Sequence, residues 1–257
     1  MDGAGTVQGG KREFGLTGSG LKYIAILVML CDHIAVLLVP SDLLIYGIMR
    51  FFGRITAATM CFFICEGYHH THDLKKYFLR LGIFAFISHF AFTYACHGSV
   101  LVIGTESVIA TLLLSLLAVH IVNTDKVDKA LKLPALLTVL YLASFCDWGM
   151  DAVLFTLAFE FARGKRSVQA LAYLAVAFVR RLLPLLLAAM NDFSVFTSKW
   201  YTIGLVLPAG IIMLYNGERG GGKHGNWSKW FFYVFYPAHL FVLGFIKYCF
   251  FSDGGAV

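Results

Sequence analysis

Apolar residues run in long stretches along nearly the whole chain, and short groups of polar and charged residues interrupt them. A helix that crosses a bilayer needs about 20 predominantly apolar residues. On that criterion the pattern predicts nine helices, near residues 21–39, 45–68, 74–96, 100–122, 132–146, 149–163, 168–190, 200–215 and 229–251. The fifth and sixth of these are short, so an alternative interpretation is that they form one re-entrant pair.

The pattern therefore predicts an all-α fold, a polytopic transmembrane helical bundle with about nine spanning helices. Residues 1–20 are expected to be a flexible cytoplasmic leader, residues 21–251 the transmembrane domain, and residues 252–257 a short tail. The leader is rich in glycine and charge and shows no small-residue cleavage pattern, so we expect no removable signal peptide.

Composition agrees with a membrane protein. Hydrophobic residues make up 59% of the chain, charged residues only 14%, and the mean hydropathy is +0.75. A soluble domain needs more charge than this to cover its surface. The six cysteines fall mostly within apolar runs and form no CxxC pair, so neither disulfides nor a zinc site are expected.

Basic residues concentrate in every second connection between the predicted helices. The basic groups are Lys11 and Arg12; Lys75 and Lys76; Lys126, Lys129 and Lys132; Arg163, Lys165 and Arg166; and Arg219, Lys223 and Lys229. Lysine and arginine accumulate in cytoplasmic loops, so the pattern predicts a multi-pass membrane protein with a cytoplasmic N-terminus. The same loops explain the net charge of +6 without a nucleic-acid partner.

Several ionisable residues fall inside the predicted spans, where each costs about 2.5–3.5 kcal/mol and therefore marks a candidate functional site. Asp32 and His33 lie about 17–18 Å along the first helix at 1.5 Å per residue. On the second helix, Arg50 and Arg54 are spaced to share one face. Glu66 lies about 18 Å beyond Arg54.

His239 lies about 15 Å into the last predicted helix, again near the midplane. Histidine changes its charge near neutral pH, so a buried imidazole such as His33 suits a general base or a transient acyl carrier. Adjacent helical residues point about 100° apart, so Asp32 is expected to pair with an arginine of the second helix rather than orient His33. We expect Asp32 and Arg54 to hold the charge balance of this site.

Other buried charges are open to a structural interpretation. Arg180, Arg181, Glu160 and Asp151 can equally be ion pairs that hold helices together. The histidines at 69, 70 and 72 lack an obvious set of carboxylates in the sequence, so no metal site is expected.

Three stretches closely resemble the TraX family of membrane acetyltransferases, which itself resembles the acyltransferase-3 group. They read "LKYIAILVMLCDHIAVLL", "MRFFGRITAATMCFFICEGYHHTHDLKKYFLRLGIFAFISHFAF" and "YNGERG…KWFFYVFYPAHLFVL". The resemblance covers roughly residues 21–96 and 210–246. It implies an acyl-CoA-dependent transfer in which a first-helix histidine and nearby arginines take part.

The resemblance implies acetyl-CoA as the donor and an amine or hydroxyl as the acceptor; in the best-known branch this is the N-terminal amine of a pilin. The expected catalytic residues are His33, Asp32, Arg54, Glu66 and His239. The expected donor-binding residues are Lys75, Lys76, Arg80, Arg50 and Tyr236. Basic side chains at the predicted cytoplasmic end of the helices suit the phosphates of CoA; they are Lys75, Lys76 and Arg80, with Lys223 and Lys229 as further candidates.

Two other functions fit the same residues. A transporter or permease would use the buried charges as a proton or solute relay, and many such proteins carry an inverted repeat, which we do not find in this sequence. A non-catalytic assembly subunit of a secretion apparatus would not depend on His33.

Overall fold

A computed structural model describes residues 15–102, 104–220 and 225–251, with the backbone alone for 225–229. Most of the predicted leader, the predicted tail at 252–257 and Lys223 lie outside the described residues, as does the side chain of Lys229. The described chain is helical, with two isolated β-bridges and no strand. The prediction of an all-α fold is confirmed.

The α-helices, in chain order, are α1 Gly18–Leu38, α2 Leu44–Gly53, α3 Ile55–His70, α4 Leu74–His97, α5 Val108–Asn123, α6 Lys129–Ala143, α7 Gly149–Phe161, α8 Arg166–Ala177, α9 Leu183–Asn191, α10 Phe193–Lys199, α11 Leu207–Met213 and α12 Gly225–Phe250. A π-helical turn, Phe178–Leu182, joins α8 to α9. A 3₁₀ segment, Trp200–Val206, joins α10 to α11.

Each of the nine predicted segments is largely helical. Six described helices are long and apolar enough to cross a membrane: Gly18–Leu38, Leu44–His70, Leu74–His97, Arg166–Asn191, Phe193–Met213 and Trp230–Phe250. Helices α5, α6 and α7 have 16, 15 and 13 residues, short of the roughly 20 that a span requires. The number of crossings and the side of the N-terminus stay predictions.

Local signals set several helix ends. The Thr17 hydroxyl caps α1 by accepting a hydrogen bond from the backbone N–H of Gly20 at 3.3 Å. Asp73 caps α4 in the same way, and the Lys76 N–H that it accepts lowers the pKa of its carboxyl. Helix α4 ends at His97 and is capped by Gly98, whose φ of 72° is the left-handed conformation that glycine adopts without steric cost.

Helix α3 lies at the centre of the bundle and packs against α1, α5, α7 and α11. Small or compact side chains on it, including Ala57, Ala58 and Cys61, are completely or almost completely buried. Helix α12 packs along α4 and α1. As a result, α1 is enclosed by α2 and α3 on one side and by α12 on another, which brings distant parts of the sequence to His33.

The π-helical turn accommodates Pro184 within the helical segment. Proline in a regular helix would clash with the carbonyl four residues earlier, that of Arg180. The wider turn, closed by the Leu183 N–H to the Phe178 carbonyl, relieves this clash. Arg180 and Arg181 both donate from Nε to the buried Asp151 on α7, the Arg180 bond being 2.9 Å long.

Candidate active site

A cavity of about 270 Å³ lies between α1, α2, α3 and the connection from α6 to α7. We call it the first cavity. Its ionisable lining residues are Asp32, His33, Arg50, Arg54, Cys96, Asp147 and Arg181. Apolar side chains such as Met29, Leu37 and Leu240 form much of the remaining wall. The cavity thus combines an apolar wall with a few convergent polar groups, as small-molecule sites do.

Asp32 pairs with Arg50. The Arg50 Nη1 donates to Oδ2 of Asp32 at 2.7 Å, and both side chains are mostly buried, at 18% and 16% exposure. The prediction that Asp32 pairs with an arginine of the second span is therefore confirmed. The sequence left open which arginine this is: Arg50 makes the ion pair, and Arg54 lines the same cavity.

Gly53 makes this pairing possible. A Cβ added at Gly53 would overlap the Asp32 side chain, including Oδ1 and Cγ. Helix α2 can therefore approach α1 closely enough for Arg50 to reach Asp32 only because residue 53 has no side chain.

We expect Gly53→Ala to destabilise the protein by about 1–3 kcal/mol, as overpacking does, and to disturb the Asp32–Arg50 pair. Gly82→Ala is the matched control, because nothing lies within 4 Å of a Cβ built at Gly82 and alanine favours the helix. Thermal unfolding of the purified variants in one detergent makes the comparison. Equal unfolding temperatures for the two variants would contradict the steric argument.

His33 and His239 form a hydrogen-bonded pair between α1 and α12. The distance from His33 Nδ1 to His239 Nε2 is 2.8 Å, and His239 Nδ1 lies 2.8 Å from the Phe235 carbonyl oxygen. A carbonyl can only accept, so His239 Nδ1 carries a proton and donates it. In the neutral pair His239 Nε2 then accepts from the N–H at His33 Nδ1. This order leaves the lone pair of His33 on Nε2, as a general base requires.

The two histidines hold different positions relative to the first cavity. His33 lines it, whereas His239 is buried and is not among the lining residues. Tyr236 packs against both rings, with its ring centroid 6.0 Å from that of His33 and 5.6 Å from that of His239. His239 therefore reaches the first cavity through its hydrogen bond to His33, which is the geometry of a positioning residue.

Two aromatic rings hold Arg54. Its guanidinium lies 5.4 Å from the ring centroid of Trp148 and 5.3 Å from that of Tyr201, and Arg50 lies 5.6 Å from the same tyrosine. The buried Nε of Arg54 has no hydrogen-bond partner among the described residues. Arg54 is thus a fixed cation in the cavity wall, and its Nε–H is available to donate a hydrogen bond.

Sequence reasoning missed Asp147, Trp148 and Tyr201 and did not connect Arg181 with this site. Trp148 has a φ of 64°, an uncommon left-handed conformation for a bulky residue. Asp147 accepts from the Trp148 N–H at 2.9 Å. The sequence did carry a signal, an acidic residue followed by tryptophan and glycine at the break between two short apolar segments.

A second cavity, of about 310 Å³, lies beside the last turn of α3 and the connection from α7 to α8. Its lining residues are Phe62, Glu66, Arg163, Gly164, Arg166, Gln169 and Tyr215. Glu66 therefore lines a different cavity from His33, consistent with their expected separation along the bundle.

The predicted donor residues do not form one site. Lys75 and Lys76 lie exposed at the start of α4, where the Lys76 ammonium pairs with Asp73 at 3.2 Å. Arg80 lies with its guanidinium 5.7 Å from the Tyr77 ring centroid. None of these three lines either cavity, and Arg50 and Tyr236 belong to the surroundings of His33.

Cys65, His69 and Glu160 bring three potential metal ligands within 4.8 Å of one another. In the structure they bond to each other, because Glu160 accepts hydrogen bonds from the Cys65 thiol at 2.9 Å and from His69 at 2.9 Å. The Asn123 amide donates to the same carboxylate at 2.8 Å. These hydrogen bonds satisfy the carboxylate without an ion, and the sequence-based expectation of no metal stays a prediction.

The chain matches the model of one family and one curated protein. The family model is described as TraX protein and matches residues 17–247. A protein of Dichelobacter nodosus, described as probable fimbrial assembly protein FimC, serogroup H1, is 32% identical over 245 residues, which are 90% of this chain and 96% of that protein. No solved structure matches the chain. Because the family model matches far more than half of the chain and the relative is 32% identical over most of both sequences, the chain belongs to the TraX family.

Proposed function

We propose that this chain is an integral-membrane acetyltransferase that moves an acetyl group from cytoplasmic acetyl-CoA to an amine or hydroxyl in or across the membrane. The observation that carries the proposal is the His33–His239 pair at the first cavity. Its hydrogen bonds leave the Nε2 lone pair of His33 available. The buried cations around the cavity suit a reaction in which an oxygen gains negative charge.

The acceptor nitrogen or oxygen attacks the thioester carbonyl carbon while Nε2 of His33 removes its proton. The new C–N or C–O bond forms, the C–S bond breaks, and the proton passes from His33 to the CoA thiolate, which leaves as the thiol. Attack by Nε2 itself, with the acetyl group then passed on to the acceptor, gives the same products. In both routes Arg54 is positioned in the wall to stabilise the oxyanion.

The proposed acceptor is the N-terminal amine of a pilin. The fimbrial assembly description of the Dichelobacter nodosus relative supports this choice, because fimbriae are built from pilin subunits. The proposed location is the plasma membrane of a bacterium, with the donor site facing the cytoplasm. Comparing acetylated N-termini in the membranes of cells with and without the chain tests this acceptor, and an unchanged set of acetylated N-termini would exclude it.

Removing the nitrogens of His239 deprives His33 of its hydrogen-bond partner. We expect this to lower kcat by about 10–100-fold and to leave the KM for acetyl-CoA unchanged. The variant His239→Phe keeps a ring but lets His33 change tautomer, so the pH profile of kcat should also change. His239→Gln keeps an oxygen acceptor and should recover part of the rate. A wild-type kcat and pH profile in His239→Phe would refute the positioning role.

A further inference from the structure

The second cavity has the character of an anion site. Its ionisable lining residues are two arginines, Arg163 and Arg166, and one carboxylate, Glu66. Within the described residues, no carboxylate oxygen lies within 4.0 Å of either guanidinium, and the basic partner of Glu66 is His70, at 4.0 Å. The cavity therefore contains arginine hydrogen-bond donors that no protein acceptor in this part of the structure uses.

Arg166 is held in position before any ligand binds. Its guanidinium lies 5.0 Å from the ring centroid of Tyr215, a residue with only 6% exposure. The chain also turns close to this guanidinium at Gly217, whose φ is 83° and where an added Cβ would lie 2.9 Å from Nη2 of Arg166. A guanidinium fixed in this way loses less side-chain entropy on binding than a free surface arginine.

We propose that the second cavity binds the phosphate groups of the acyl donor. The planar fork of arginine matches phosphate oxygens with paired hydrogen bonds, which favours a phosphate over a monovalent inorganic anion. The identity of the donor as acetyl-CoA rests on the proposed function, whereas the phosphate-binding property rests on the cavity alone.

Helix α3 contributes lining residues to both cavities. Thr56 and Ala57 line the first cavity, and Phe62 and Glu66 line the second. Along the axis of α3, the lining residues of the two cavities lie between about 7.5 Å apart, from Ala57 to Phe62, and about 18 Å apart, from Arg54 to Glu66. A donor whose phosphates bind in the second cavity needs a flexible arm of this reach to bring its thioester to His33, and CoA carries such an arm in its pantetheine group.

The test measures CoA binding to the full chain in nanodiscs of phosphatidylcholine. We expect Arg163→Gln and Arg166→Gln each to weaken binding about tenfold or more, as loss of charge-assisted hydrogen bonds does. Lys165→Gln is the matched control, because Lys165 lies between the two arginines in sequence, is exposed and does not line the cavity. Pyrophosphate should compete with CoA for the wild type. Size-exclusion profiles and unfolding temperatures verify that the variants fold.

An equal loss of CoA affinity in Lys165→Gln, or none in either folded arginine variant, would overturn the proposal. A lipid phosphate is the alternative ligand. If phosphatidylglycerol in the nanodisc displaces CoA and pyrophosphate does not, the cavity binds lipid and the proposal fails. Arginine-dependent CoA binding without acetyl transfer would contradict the proposed function and leave this site standing. If neither arginine change affects acetyl transfer at limiting acetyl-CoA, the phosphate site is refuted and the proposed acetyltransferase function stands.

Discussion

Replacing His33 by glutamine is expected to lower acetyl transfer about a thousandfold or more, within the range that general bases and nucleophiles contribute. Glutamine retains volume and polarity, but it can neither take a proton near neutral pH nor carry an acetyl group. CoA release from acetyl-CoA by the purified protein, followed with a thiol reagent, measures the loss. Binding of CoA should persist, because the proposed phosphate site lies in the other cavity.

His97→Gln is the matched control for this experiment. His97 lies exposed at the end of α4 and lines neither cavity, so the same change there should leave the rate unaltered. A His33→Gln protein that folds and turns over at a rate near wild type would remove His33 from the mechanism.

The second large effect concerns stability. Asp32→Asn leaves the Arg50 guanidinium largely buried without its charged partner, which is expected to cost about 3–5 kcal/mol in the free energy of unfolding. Arg50→Gln leaves the aspartate in the same position and should cost a similar amount. The double variant Asp32→Asn, Arg50→Gln should be more stable than the sum of the two losses predicts, because neither member of the pair is left charged without the other.

The exposed Lys76–Asp73 pair supplies the control for this cycle. Its side chains are 75% and 43% exposed, so Lys76→Gln should cost less than about 1 kcal/mol. Denaturant unfolding in a single detergent, followed by tryptophan fluorescence, provides all five free energies. Strictly additive losses across the Asp32–Arg50 cycle would show that the pair does not interact energetically.

The sequence predicts the helices well and the cavity only in part. Long apolar runs define the helices because the requirement for about 20 apolar residues is local. The break at Arg54, which turns one predicted span into α2 and α3, is not visible in hydropathy because both halves are apolar. The spacing of Arg50 and Arg54 indicated a shared face, but it could not decide which arginine reaches Asp32. That choice depends on the close approach at Gly53.

Contacts between segments distant in sequence could not be predicted, because they depend on how the helices pack. Each histidine was recognisable as a buried titratable residue, but their hydrogen bond joins residues 206 positions apart and depends on how α12 packs on α1. The donor site was expected at Lys75, Lys76 and Arg80 because basic residues were visible there. The cavity at Arg163 and Arg166 was not predicted, because their grouping with Glu66 results from the packing of α3, α7 and α8.

We propose that His33 serves acyl transfer rather than transport. Proteoliposomes that contain the purified chain and an encapsulated pilin N-terminal peptide, given labelled acetyl-CoA outside, test this role most directly. We expect each labelled acetyl group to appear on the peptide together with one molecule of free CoA, and His33→Gln to produce neither. Label that enters the lumen without release of CoA would identify a transporter and contradict the proposed acetyl transfer.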